Sequence, residues 1–143
     1  MSNPFDLTGK VALVTGGNVG LGQGIALALA EAGADIVSVA LSDSDDTVAQ
    51  VKAMGRRAHA VSADLTSIEP VERVLAEALE AMGRVDILVN NAGLIRRADA
   101  VDFTEADWDL VMNINLKTVF FMSQAVARLF IKQGDGGKII NIA

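Results

Sequence analysis

Residues 10–24 read Lys-Val-Ala-Leu-Val-Thr-Gly-Gly-Asn-Val-Gly-Leu-Gly-Gln-Gly, and this stretch limits the folds open to the chain. The apolar run 11–14 has the length and branching of a strand buried on both faces. Gly16, Gly17, Gly20, Gly22 and Gly24 then crowd a loop, and residues 25–30 (Ile-Ala-Leu-Ala-Leu-Ala) read as a helix. Strand, glycine loop and helix in that order make an anion site. The first amides of a helix lack intrahelical partners, and its dipole concentrates positive charge there. Glycine leaves no Cβ to block a phosphate.

The rest of the chain repeats this construction. Strands are expected at 35–40, 58–62, 87–89 and 138–142, and helices at 20–31, 45–54, 67–82 and 105–132. Gly33, Gly55 and Gly83 stand at helix ends, Ser67 opens the third helix, and Thr104 with Asp107 makes a capping pattern for the fourth. Strands alternating with helices every 25 to 30 residues or so (roughly one βαβ unit) predict an α/β fold. Right-handed crossovers favour a doubly wound parallel sheet of strand order 3-2-1-4-5. That order puts the glycine loop, Asp64 and Asn90-Asn91-Ala92-Gly93 on one sheet edge, beside a switch-point crevice.

Composition narrows the functions. The 143 residues are 51% apolar with a net charge of −6, and no Lys/Arg cluster matches a run of phosphates. Neither nucleic acid nor an anionic membrane is expected as the main partner. With no cysteine and His59 as the single histidine, no disulfide and no metal centre are expected. No uninterrupted apolar run approaches ~20 residues, and the first residues lack the character of a signal peptide, so a soluble cytoplasmic domain is expected.

Three features agree with Thr15-Gly16-x-x-x-Gly20-x-Gly22: Asp64 after the third strand, Asn90-Asn91-Ala92-Gly93 after the fourth, and Asn115 within Met112-Asn113-Ile114-Asn115-Leu116. On these residues the whole chain resembles a short-chain dehydrogenase/reductase. The wording Asn-Asn-Ala-Gly-Leu-Ile-Arg-Arg at 90–97, with residues 119–143, resembles one subgroup in particular. This is the 2-deoxy-D-gluconate 3-dehydrogenases, also described as 2-dehydro-3-deoxy-D-gluconate 5-dehydrogenases.

The resemblance implies a Rossmann-type fold, a nicotinamide cofactor, hydride exchange with a sugar acid, and a homo-oligomer, dimeric or tetrameric. It assigns the cofactor pyrophosphate to Gly16, Asn18, Val19, Gly20, Leu21 and Gly22. Adenine contacts would come from the Asp64 carboxylate and the Leu65 amide, although Asp64 also reads as a turn or cap acid. Asn91, Ala92 and Gly93 would border the nicotinamide ribose, with Asn90 tying strands together. Asn115 sits unfavourably inside a helix; the resemblance has it hold a water that extends a proton relay, and the alternative is a satisfied core amide. Arg96, with Arg97, would fork a substrate carboxylate, unless both are exposed loop arginines. His59 and Trp108 read as structural.

NAD is favoured over NADP. Neither the glycine loop nor Ala40-Leu41-Ser42-Asp43 carries a cation for a 2′-phosphate, and Asp43 and Asp45 would repel one. The acid that usually takes the ribose hydroxyls would fall at Ala40 and is missing, which leaves Asp43 as its nearest substitute. The resemblance also calls for a serine after the fifth strand and a Tyr-x-x-x-Lys pair beyond it, yet residues 1–143 contain no tyrosine. The expectation is thus an N-terminal NAD-binding part, truncated before those residues and without the C-terminal strands of the full fold. Alone it is expected to be inactive. The alternatives are an inactive nucleotide-binding or association module, or a dehydrogenase for another sugar, polyol or 3-oxoacyl substrate.

Overall fold

Val11, Ala12, Leu13 and Val14 are at most 1% exposed, and successive side chains leave β1 (Val11–Thr15) on opposite faces. Val11 and Leu13 enter one core with Val37, Val74, Met122 and Phe130. Ala12 and Val14 enter a second with Ala26, Ala30, Ile36 and Val51. An unbroken apolar strand therefore needs helices on both faces of its sheet, and the chain supplies them. The computed structural model describes residues 2–143. β2 (Asp35–Ala40), β3 (Ala58–Ser62), β4 (Ile87–Asn90) and β5 (Lys138–Asn141) join β1 in a parallel sheet of order β3-β2-β1-β4-β5, as expected. In register, Val14 lies opposite Ser38 on one side and Val89 on the other. Helices α1 (Gly20–Glu31) and α2 (Asp45–Ala53) cover one face, and α3 (Val71–Met82) covers the other with a longer C-terminal helix.

That C-terminal helix departs from expectation. Residues 105–132 read as one continuous helix, but the structure divides them into α4 (Glu105–Met112), a π-helical turn at Asn113–Lys117, and α5 (Thr118–Gln133). The Thr118 amide reaches back five residues to the Asn113 carbonyl, so one extra residue is held in the turn. Thr104 does cap α4, its hydroxyl accepting from the Asp107 amide at 3.2 Å. The third helix begins at Val71, not Ser67. Residues 65–70 form turns of their own, with Ser67 Oγ accepting from the Glu69 amide and the Ile68 carbonyl from the Val71 amide.

The combined stretch Glu105–Gln133 is long and apolar enough, by length and composition, to cross a membrane. The lack of a single apolar run had argued otherwise, because scattered polar residues break the run without making the average polar. Met122, Ala125, Val126 and Phe130 of α5 are buried in the first core, as in a core helix.

At the N-terminal end of the strands, Arg84 joins three elements. Its guanidinium contacts Asp86 and Asp135, each at 2.6 Å, while the buried Asp86 carboxylate accepts the Val11 amide at 2.9 Å. Gln133 completes the tie by pairing with both the amide and the carbonyl of Val85. His59 is structural, pairing with Glu77 of α3 at 3.0 Å. β5, at the sheet edge, is exposed along its whole length, and Leu116, Phe120 and Ile131 also stand in solvent.

Candidate functional site

The C-terminal ends of β1 to β4 open into a cleft of about 380 Å³, bordered by Gly16, Val19, Ala40, Ser42, Asp64 and Ala92 among others. The parallel order carries these distant residues to one edge. Within the glycine loop, Gly16 has φ +64° and Gly20 φ +57°, a backbone that side chains disfavour. Gly22 answers to a different constraint: a Cβ there would run into the Gly16 carbonyl and the Asn91 amide. The helix can thus approach the loop closely only with glycine at that position. α1 starts at Gly20 with no side-chain cap and no acid in its first turn, so its first amides and positive dipole end face the cleft uncontested. Such a cradle suits a phosphate.

A clamp between β1 and β4 fixes the loop. Thr15 Oγ1 accepts from the amides of Asn91 (3.0 Å) and Ala92 (2.9 Å). In return, Asn91 Nδ2 donates to the carbonyls of Thr15 (3.2 Å) and Gly16 (3.3 Å). Asn91 thus shapes the cradle through its side chain and borders the cleft as well. Asn90 behaves as a strand tie, donating to Ser123 Oγ at 3.0 Å and Asn141 Oδ1 at 2.9 Å.

Asp64 is exposed beside the cleft. Its Oδ1 accepts from Thr66 Oγ1 (2.6 Å) and from the Thr66 amide (3.0 Å), and these bonds hold its carboxyl below the ordinary carboxylate range. Asp64 thus makes the turn anticipated as its alternative role and keeps Oδ2 free of protein partners among the described residues. Leu65 is buried at the border of the cleft.

Asn115 lies in the π turn and is exposed, so it is not the core amide of the alternative reading. Its Nδ2 donates to the Leu94 carbonyl (2.9 Å) and its Oδ1 accepts from the Leu94 amide (3.1 Å). A Cβ on Gly93 would come within 2.8 Å of that oxygen, so glycine there lets the loop after β4 lie against the turn. Arg96 Nε faces Asp107 at 3.5 Å and Nη1 donates to the Ile95 carbonyl. Arg97 makes no ion pair among the described residues.

Sequence reasoning missed the Thr15 clamp and two contacts from the α2 side. Asn18 Nδ2 donates to Ser42 Oγ at 2.8 Å, and Thr47 Oγ1 donates to the Gly17 carbonyl at 2.8 Å. A threonine closing β1 was a usable signal for the first. The partners of the other two lie about one βα unit away in sequence and meet only in the fold. No lysine or arginine lines the cleft, and the described residues hold no cluster of His, Cys, Asp or Glu fit for a metal.

The family described as short chain dehydrogenase matches residues 10–143. A 2-dehydro-3-deoxy-D-gluconate 5-dehydrogenase of Dickeya dadantii is 57% identical over 141 residues, covering 99% of this chain and 56% of the relative. Its counterpart in Escherichia coli is 58% identical over 139 residues, covering 97% and 55%. Among solved structures, a putative 2-deoxy-D-gluconate 3-dehydrogenase from Agrobacterium tumefaciens with bound NADP superposes with a TM-score of 0.86 at 46% identity, covering 99% of this chain and 56% of that one. The chain therefore spans about half the length of the curated relatives it matches.

Proposed function

Because this chain belongs to the short-chain dehydrogenase family, we propose that it forms the cofactor-binding half of an NAD-dependent oxidoreductase acting on a sugar acid. One observation carries the reading: the glycine loop, the Asp64–Leu65 turn and the Asn91–Gly93 loop meet around a single cleft at the C-terminal strand edge. Gly16, Gly20 and Gly22 leave room for a pyrophosphate that the amides of Asn18, Val19 and Leu21 would hold. Asp64 Oδ2 and the Leu65 main chain would take the adenine. Ala92 and Gly93, with no side chain beyond a methyl, would let the nicotinamide ribose approach the backbone of the loop Asn91 supports.

A bound nicotinamide supplies hydride exchange with a CH–OH carbon. The residues of this chain bind and orient it. Asn115 fixes the loop after β4 through Leu94 and would hold a water that extends a proton relay. The serine and the Tyr-x-x-x-Lys pair of the family's chemistry would follow residue 143, and residues 1–143 alone are proposed to be inactive. The sugar-acid substrate, of the 2-deoxy-D-gluconate type, is carried over from the relatives' names, with Arg96 as its nearest candidate contact. NAD is favoured over NADP because the cleft offers no cation to a 2′-phosphate. The same reading expects a cytoplasmic homo-oligomer, supported by the exposed Trp108, Leu116 and Phe120 along α4, the π turn and α5.

Titration calorimetry of the chain with NAD tests the binding site: saturable binding supports it, and no heat at millimolar NAD overturns it. Reading the gene beyond Ala143 tests the enzyme assignment. A serine followed by Tyr-x-x-x-Lys supports it, and a stop codon favours an inactive nucleotide-binding module.

A further inference from the structure

The carbonyls of Thr15, Gly16, Gly17 and Asn18 follow one another along the glycine loop, and each accepts a side-chain hydrogen bond. Asn91 supplies the first two from the β4 side; the Thr47 hydroxyl supplies the others, at 2.8 Å to Gly17 and 3.4 Å to Asn18. A hydroxyl has one proton, so the shorter contact dominates and the longer is a weak second branch. Gln23 Nε2 donates to Thr47 Oγ1 at 3.1 Å, which leaves the hydroxyl proton to point at Gly17. Thr47 is fully buried, at 0% exposure.

This hydroxyl does nothing for its own helix. The Ser44 side chain makes no cap bond to the first turn of α2, Asp43 Oδ1 accepts from the Asp45 amide there, and Thr47 sends its proton to another element. Beside it, Ser38 and Ser44 are buried with their hydroxyl oxygens 2.9 Å apart. Gly17 rests on this polar floor so closely that a Cβ would lie 2.7 Å from Ser38 Oγ.

Peptide planarity turns this anchor into an orientation. In a trans peptide the C=O and the following N–H point to opposite sides, and the described residues contain no cis bond. Drawing the Gly17 carbonyl toward α2 turns the Asn18 amide away from α2, and the weaker Asn18 branch acts likewise on the Val19 amide. Both residues border the cleft.

We propose that Thr47 is a positioning residue for the phosphate cradle: its buried hydroxyl, oriented by Gln23, holds the Gly17–Asn18 peptide so that the Asn18 and Val19 amides face the pyrophosphate of a dinucleotide. The inference rests on the nucleotide-binding reading above. Thr47 itself touches no ligand atom.

Titration calorimetry of the full chain with ADP and with adenosine separates the cradle from the adenine pocket. Thr47→Val keeps the side-chain shape and removes the hydroxyl. It is expected to weaken ADP by roughly tenfold and adenosine by less than about threefold, while Thr47→Ser stays within about threefold of the parent for ADP. Equal losses for both ligands, no loss for ADP, or failure of the serine variant to retain ADP overturns the proposal. Should the valine variant not fold, amide exchange on the parent chain decides: the Asn18 and Val19 amides should slow with ADP and not with adenosine, and any other pattern overturns it. A parent chain that binds neither ligand ends the nucleotide reading and this proposal together. Adenosine binding with no gain from the phosphates of ADP overturns the proposal alone.

Discussion

Asn115 and Leu94 are joined by two hydrogen bonds that close a ring between one side-chain amide and one residue's main chain, at 2.9 and 3.1 Å. The ring ties the π turn to the loop after β4. Asn115→Ala removes both bonds at once. A loss of about 1 kcal/mol is expected, kept modest because the site is exposed. Denaturant unfolding measures it, and limited proteolysis should cut the 94–99 segment faster. An unchanged cleavage pattern would show that the ring does not restrain the loop.

Gly22 and Gly24 are two residues apart in α1 and should respond in opposite ways. A Cβ at Gly22 meets the Gly16 carbonyl, whereas at Gly24 it meets nothing within 4 Å. Gly22→Ala is expected to destabilise by about 1–3 kcal/mol through overpacking and to abolish NAD binding. Gly24→Ala should stabilise by roughly 0.4–1 kcal/mol through helix propensity. Thermal unfolding of both variants, with NAD titration of each, provides the check.

Asp135 carries an acid-dependent part of the tie at the strands' N-terminal end. The Arg84 hydrogen bond holds its carboxyl below the ordinary value of 3.8. A depressed folded pKa means that the stabilisation is fully present above 3.8 and is lost as pH falls through the lower folded value. Asp135→Asn should lower stability at neutral pH, where the tie is intact, and flatten this part of the acid limb so that variant and parent converge at low pH. Stability curves that coincide with the parent at neutral pH would argue against the assignment.

Cofactor choice should turn on charge near Ser42. The parent chain is expected to bind NAD more tightly than NADP, since the cleft has no cation and Asp43, Asp45 and Asp46 lie close by in sequence. Ser42→Arg should raise NADP affinity relative to NAD by roughly tenfold, and added salt should shrink that gain. Paired titrations at two ionic strengths give the answer; a ratio insensitive to the arginine would mean the 2′ position lies elsewhere.

The 143-residue chain should produce no NADH from a hydroxy acid, and it should self-associate. Every residue of β5 is exposed, and an unpaired strand edge beside apolar residues such as Ile139 and Ile140 invites pairing. Sedimentation velocity tests the second point: a single monomeric boundary at micromolar concentration would count against it.

The sequence made some of these relationships readable and hid others. The β1 run and its glycine loop were legible because burial on both faces and a left-handed backbone both restrict residue choice locally. Asp64 was legible only as two alternatives, because an Asp-x-Thr turn and an adenine contact ask for the same carboxylate. The π turn was not legible: Val111, Met112, Val119 and Met122 keep an apolar helical rhythm across it, and the extra residue has no compositional signature. The Arg84–Asp135 tie and the Thr47–Gly17 bond, separated by 51 and 30 residues, exist only once the strands are aligned.

The clamp at Thr15 and Gly16 also has a consequence for synthesis. Their carbonyls are held by a side chain 76 and 75 residues downstream. On the ribosome, the first strand, loop and helix emerge long before Asn91 does, and a nascent chain that has not yet exposed it has no inner clamp for its phosphate site. The site with the most recognisable local sequence is completed only by a residue from the middle of the chain.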